Sequence, residues 1–384
     1  MRTFQGKAVN VEHSVLGRII RFRNWYSYLI KKDPYILVMP KSTRKFPKAT
    51  GYLVAGSLID ISSLGGRPCV YGLSEEELLT LQEGDVVLLS KDGNVKVVYE
   101  INSSSNAIFA TNRCNLRCVM CPQSTSLDQE NFLELNLSLI RLMDPGKTKS
   151  LAITGGEPTL LCEELFELIR ACKKYLPRTA LILLSNGTRF KDLEFARSLA
   201  RVDHPDLVIA IALYADNDKD HDNIVGVSGS FYKTIKGLHN LSLLRQKVEI
   251  RTVIHALNYK RLPKFVEFIY HNFPFAIHVA LMTMETIEIA RENIERLWID
   301  PYEYVLELEK AVRYLNRCNI NVSIYNHQLC LLPQKLWPFS RKSISSWKNI
   351  YLDACTYCAE KERCGGFFAT AGNCYSKYIN PINY

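Results

Sequence analysis

Residues 107–121 read AIFATNRCNLRCVMC. The first five form an apolar, strand-like run. The loop after them carries three cysteines, Cys114, Cys118 and Cys121, separated by three residues and then two. Toward the C-terminus, strand-like and helix-like segments alternate. After 107–111 come SLAIT (150–154), ALILLS (180–185), LVIAIALYA (207–215), VEIRTVIH (248–255) and IHVALM (277–282). Amphipathic stretches lie between and after them, at 163–176, 231–246 and 301–318. Repeated βα units with short connections build an α/β fold around a parallel sheet, open or curled toward a barrel. In such folds the chemistry sits beyond the carboxyl ends of the strands, and the cysteine triplet follows the first strand at that end.

Toward the N-terminus the pattern changes. Residues 1–105 read as a β-rich domain, with short apolar runs (YILVMP, GYLVAGSLIDI) broken by Gly, Pro and Ser. Within GDVVLLSKDGNVKVVYE (84–100), alternation on either side of Asp92-Gly93 predicts a hairpin. INSSSN (101–106) is the junction, so the expected domains are 1–105, a core over 106–320 and a cysteine-rich region over 321–384.

With 384 residues, 47% hydrophobic and 23% charged, the chain is globular and neither disordered nor fibrous. The opening MRTFQGKAVNVEH has no apolar signal core, and the apolar run 207–215 is too short to span a bilayer. The expectation is a cytoplasmic protein with no membrane partner. In a reducing compartment, clustered cysteines point to metal binding or catalysis, not disulfides. Scattered Cys69, Cys162, Cys172 and Cys318 read as small buried apolar side chains.

The formal charge of +9 is concentrated. Residues 1–50 hold eleven Lys/Arg and two acids, which accounts for the whole excess. Lys41, Arg44, Lys45 and Lys48 are its densest group. A basic face suits an acidic peptide or nucleic acid, and equally a solvated surface. No RNA-binding module with stacking aromatics accompanies it, which argues against nucleic acid.

A structural zinc site wants four protein ligands, and a cubic four-iron cluster takes four thiolates as a rule. Three thiolates leave one iron open to a cofactor. This Cys-x3-Cys-x2-Cys loop after a first strand resembles the radical S-adenosylmethionine (radical SAM) superfamily. Met120 stands where that family commonly has an aromatic, and it could still pack on adenine. The second strand ends in Thr154-Gly155-Gly156-Glu157-Pro158, which resembles the segment that binds the methionyl amine of SAM. Paired glycines permit close backbone approach, and Pro158 stiffens the turn. Ser185 and Asn186 at the third strand's end, and Arg251 on the fifth, are candidates for the ribose or the methionyl carboxylate; a turn and a core-edge ion pair explain them equally well.

A narrower resemblance runs from about residue 106 to the C-terminus. LYADNDKDHDNIVGVSGSFYKTIKGLHNL, VALMTMETIEIARENIERLWIDP, IYNHQLCLLPQKLWPF and SISSWKN are similar to the C-type radical SAM maturase of the His-Xaa-Ser peptide system. Thr283-Met284-Glu285 replaces that family's usual Gly-Leu-Glu run. The resemblance implies a partial (β/α)6 TIM-like barrel and reductive cleavage of SAM by a [4Fe-4S] cluster. A 5′-deoxyadenosyl radical then abstracts hydrogen from a ribosomally made precursor peptide. It also implies a second radical SAM maturase as partner, and an electron donor. In the tail, Cys355-x2-Cys358-x5-Cys364 with Cys330 upstream resembles an auxiliary-cluster region, and zinc is the other reading. The sequence assigns no side chain a catalytic role of its own. An RNA-modifying radical enzyme and a non-catalytic iron–sulfur or zinc scaffold are the alternatives.

Overall fold

The computed structural model describes residues 2–21, 33–39, 47–57, 61–123, 132–342, 349–372 and 374–383. It divides into two compact units. One comprises Met1–Ile108, Phe132–Leu151 and Leu168–Thr179; the other comprises Phe109–Asn131, Ala152–Glu167 and Ala180–Tyr384.

In the first unit, eight short strands are β1 (Thr3–Gln5), β2 (Lys7–Val9), β3 (Val15–Arg21), β4 (Tyr35–Met39), β5 (Gly51–Ala55), β6 (Cys69–Leu73), β7 (Val86–Leu89) and β8 (Asn94–Tyr99). Their order in the sheet is β1-β8-β7-β3-β4-β5-β6-β2. The two end strands are consecutive in sequence and separated only by Gly6, so one segment occupies both edges and closes the sheet on itself. Gly6 makes the pinch possible: a Cβ there would lie 2.6 Å from the Tyr71 carbonyl oxygen. The expected hairpin is β7–β8, antiparallel about Gly93 at φ +84°. Alternation along β8 buries Val95, Val97 and Tyr99. The helix Glu75–Thr80 starts with a capping box between Ser74 and Glu77. Of the basic group at 41–48, Lys41, Arg44 and Lys45 lie outside the described residues, while Lys48 is exposed.

The second sheet runs in strict sequence order: β9 (Asn106–Thr111), β10 (Ser150–Gly155), β11 (Ala180–Ser185), β12 (Leu207–Ala212), β13 (Lys247–Ile254), β14 (His278–Thr283), β15 (Val322–Tyr325) and β16 (Ser340–Arg341). Each neighbouring pair from β11 to β16 is parallel. The six expected strands are present, and the helices Glu163–Tyr175, Ser230–Leu243 and Val305–Arg317 occupy the amphipathic stretches.

Two features differ from the sequence reading. The sheet has eight strands where six were expected, because β15 and β16 span only four and two residues and show no readable alternation. Strand β12 stops at Ala212 instead of 215, since beyond Leu213 the chain turns away and the Tyr214 N–H meets His221 Nδ1 at 3.4 Å. Among the described residues, no helix is long and apolar enough to cross a membrane.

Candidate active site

The cysteine loop leaves β9 at Thr111 and is clamped from two sides. From β10, the Gly156 N–H donates to the Thr111 carbonyl and the Glu157 N–H to that of Arg113, both at 2.7 Å. From the end of the helix Asp218–Val225, the carbonyls of Val225 and Ile224 accept from Arg117 (2.9 Å) and Val119 (3.0 Å). Gly226, at φ +70°, admits this second contact, because a Cβ there would stand 2.6 Å from the Arg117 carbonyl oxygen.

The paired glycines of the second motif answer to the same crowding. A Cβ on Gly155 would fall 2.3 Å from the Thr111 oxygen, and one on Gly156 2.2 Å from the Arg113 oxygen. What approaches them closely is the cysteine loop's own backbone. Glu157 is 1% exposed, and both of its oxygens are engaged. Oε1 accepts from the Thr159 N–H (3.0 Å), the Thr159 hydroxyl and the Ser185 hydroxyl (2.8 Å), while Oε2 accepts from the Asn186 N–H at 2.6 Å. Burial pushes its carboxyl above the ordinary range despite those donors. Pro158 opens the turn Pro158–Leu161, of which Pro158 and Thr159 are buried. Asn186 Nδ2 in turn donates to Asn115 Oδ1 (2.8 Å), and Asn115 Nδ2 donates to the Thr188 hydroxyl (2.9 Å). The ends of β9, β10 and β11 are thereby knitted through Asn115, Glu157 and Asn186.

The radical SAM superfamily model matches residues 108–269, the stretch that builds this clamp. Over those residues the chain is similar to that superfamily. The chain is 30% identical over 157 residues to Fe-coproporphyrin III synthase of Methanosarcina barkeri, covering 40% of this chain and 37% of that one. It is 28% identical over 166 residues to GTP 3′,8-cyclase of Petrotoga mobilis, covering 41% and 50%. The chain thus spans half or less of these curated relatives. Among solved structures, anSMEcpe with bound AdoMet and a Kp18Cys peptide is similar at 18% identity and TM-score 0.46, over 57% of this chain and 63% of that one.

A [4Fe-4S] cluster and SAM are the cofactors of the superfamily whose model matches residues 108–269, and the donor set here fits them. All three thiols are partly buried. Burial raises the Cys114 thiol to about 11, with Glu157 and Cys121 adding to it, and it raises Cys118 and Cys121 as well. Thiols so placed need a cationic group to hold them as thiolates. Among the described residues, no three His, Cys, Asp or Glu side chains are gathered as a shell for a single metal ion.

Tyr214, past the end of β12, is the group that sequence reasoning missed. Burial raises its hydroxyl well above the ordinary range, and the thiols of Cys118, Cys121 and Cys114 raise it further. Met120 lies in an apolar cluster with Ile224, Met284, Ala290 and Leu297, against which Cys118, Tyr214 and Val253 pack.

Arg251 is part of an ion pair. Its Nε donates to Glu249, two residues back along the same face of β13. Glu249 also meets His278 Nδ1 at 2.8 Å, and His278 Nε2 meets the Ser323 hydroxyl at 2.9 Å. Burial opposes ionisation of Glu249, but His278 and Arg251 outweigh it and hold the carboxyl below its ordinary range.

In the tail, Cys330, Cys355, Cys358 and Cys364 line one recess with Leu329, Phe367 and Ile382. The N–H groups of Leu329 and Gly366 point at Cys364 Sγ, each at 3.5 Å, and that of Ile382 at Cys358 Sγ at 3.4 Å. Burial raises the Cys330 thiol, and the other three raise it further. Cys374 is exposed and lines a different cavity. Of the scattered cysteines, Cys69 and Cys172 are buried as expected, Cys318 is partly exposed, and Cys162 is exposed, where the turn after Pro158 brings it to φ +53°.

Proposed function

We propose that the chain is a radical SAM enzyme that modifies a ribosomally made peptide, the chemistry of a His-Xaa-Ser-type precursor maturase. The observation that carries the reading is the triplet loop, clamped at the strand ends by Gly155, Gly156 and Glu157, with a second set of four thiols in the tail of the same unit. The sequential sheet curls as a partial barrel around that mouth. Cys114, Cys118 and Cys121 would hold the cluster, and Ser185, Asn186 and Arg251 would bind SAM. When bound, these cofactors supply one-electron cleavage of SAM and, through it, hydrogen abstraction from an unactivated carbon. Glu157 keeps three strand ends in register, and Met120 and Tyr214 keep water from the thiols. Cys330, Cys355, Cys358 and Cys364 hold one auxiliary cluster. The partners are the precursor peptide, a second radical SAM maturase and an electron donor, in the cytoplasm.

The test is anaerobic reconstitution with reductant and SAM, with release of 5′-deoxyadenosine measured with and without a precursor encoded beside the gene. GTP serves as a control, because some relatives are GTP 3′,8-cyclases. Alanine at Cys114, Cys118 or Cys121 is expected to abolish release. A mass change on the precursor supports the peptide reading; turnover of GTP alone overturns it, and release by all three variants overturns the radical assignment.

A further inference from the structure

We propose that a cavity between the ends of β13–β15 and the tail is the substrate chamber, and that it selects an uncharged, largely apolar side chain over any nucleotide or charged group. The proposal rests on the peptide reading above. The cavity has a volume of about 40 Å³, and at about 10–15 Å³ per water this is room for about three waters or one small side chain. Ile254, Thr283 and Asn326 reach it from the strand ends, and Trp298, Tyr304 and Phe368 give it aromatic walls. Among the described residues, no Lys, Arg, His, Asp or Glu lines it. Part of its polar lining is already paired within the fold. The Thr283 and Tyr304 hydroxyls bond each other at 3.0 Å, and Gln328 Nε2 donates to the Gly366 carbonyl at 2.7 Å. A phosphate or carboxylate entering such a space would lose its hydration with no cation to replace it, whereas an aliphatic or aromatic side chain gains by burial.

Its position suits a reacting group. Met284 and Leu297 line the cavity and also belong to the apolar cluster that holds Met120 and abuts Cys118. Gln328 and Phe367 line both the cavity and the four-cysteine recess. The cavity therefore shares a wall with the tail recess and borders the apolar cluster against which Cys118 packs.

Cys374 provides a readout independent of turnover. It is exposed and lines the cavity, whereas Cys162 is exposed and does not. The full, cluster-loaded protein is equilibrated with disulfide probes bearing isobutyl, phenethyl, 2-sulfonatoethyl or 2-aminoethyl tails under graded reductant, and capture is mapped at both cysteines. Neutral tails are expected to be retained at Cys374 about tenfold better than charged ones, the yield of burying a few carbons, with no such ratio at Cys162. In the Ala371→Glu variant, placed in the cavity wall, the aminoethyl tail is expected to gain at Cys374. Equal ratios at the two cysteines, a preference for the sulfonate, or protection of Cys374 by GTP would overturn the chamber. Selective capture without precursor modification would leave the chamber standing and remove the maturase reading; modification without selective capture would do the reverse.

Discussion

Each oxygen of the Glu157 carboxylate is taken by a donor from within its own unit, so this side chain acts as a tie between strand ends. Replacing it with glutamine keeps the shape but sets an amide N–H2 against donors at Asn186, or at Thr159 and Ser185. One unsatisfied, buried polar contact costs about 1–3 kcal/mol, so Glu157→Gln is expected to unfold at a clearly lower temperature even without cofactors. A variant that melts like the parent while failing to bind SAM would make Glu157 a ligand instead. The motif itself was legible as a sequence. Its division of labour was not, because the two glycines and the carboxylate answer to the backbone of Thr111 and Arg113 and to donors 28 and 29 residues away. Arg251 shows the same limit. Its ion pair with Glu249 depends on strand alternation, which a reading of VEIRTVIH could have used.

Among the elements, the helix Ser230–Leu243 shows how a locally unfavourable residue can serve a distant site. Gly237 in its interior costs roughly 1 kcal/mol relative to alanine, yet a Cβ there would lie 2.4 Å from the Gly187 carbonyl oxygen. The same helix places the Thr234 hydroxyl 3.0 Å from the Asn186 carbonyl. Gly237→Ala should therefore weaken SAM binding by pushing the 185–188 turn away from Asn115, and the gain in helix propensity should not restore it; equilibrium dialysis of the reconstituted variant measures this. The six long strands were readable because each spans five or more residues, most of them apolar or β-branched. β15 and β16 were hidden by their brevity, and their place at the sheet's end follows only from pairing. The tail recess could be read from cysteine spacing, but the metal could not. If it holds a cubic cluster, iron and sulfide should reach about eight of each per chain with both sites loaded, and replacing the triplet with alanine should leave the tail's share. About one zinc per chain, with iron only at the triplet, would assign the tail to zinc.

At the scale of the whole molecule, composition already separated a basic opening segment from a neutral remainder, and the structure narrows how that segment can work. A peptide can join a protein by adding a strand to a sheet edge or by charge. Among the described residues, the end strands of the first unit's sheet are Thr3–Gln5 and Lys7–Val9, three residues each, and so short an edge offers little backbone for an added strand to pair with. Charge is the route we propose for the precursor, and Lys41, Arg44, Lys45 and Lys48 are the densest source of it. Reversing these four to glutamate is expected to weaken binding of a co-encoded acidic precursor by about tenfold or more at low ionic strength. The difference should shrink as salt rises toward a Debye length of about 8 Å, while the cysteine triplet and the tail load with metal as in the parent. Fluorescence anisotropy of a labelled precursor across a salt series reads the effect, and an RNA of matched length is the control. Affinity that is unchanged by the four reversals would place recognition elsewhere on the chain, and tighter binding of the RNA would make nucleic acid the partner of this face.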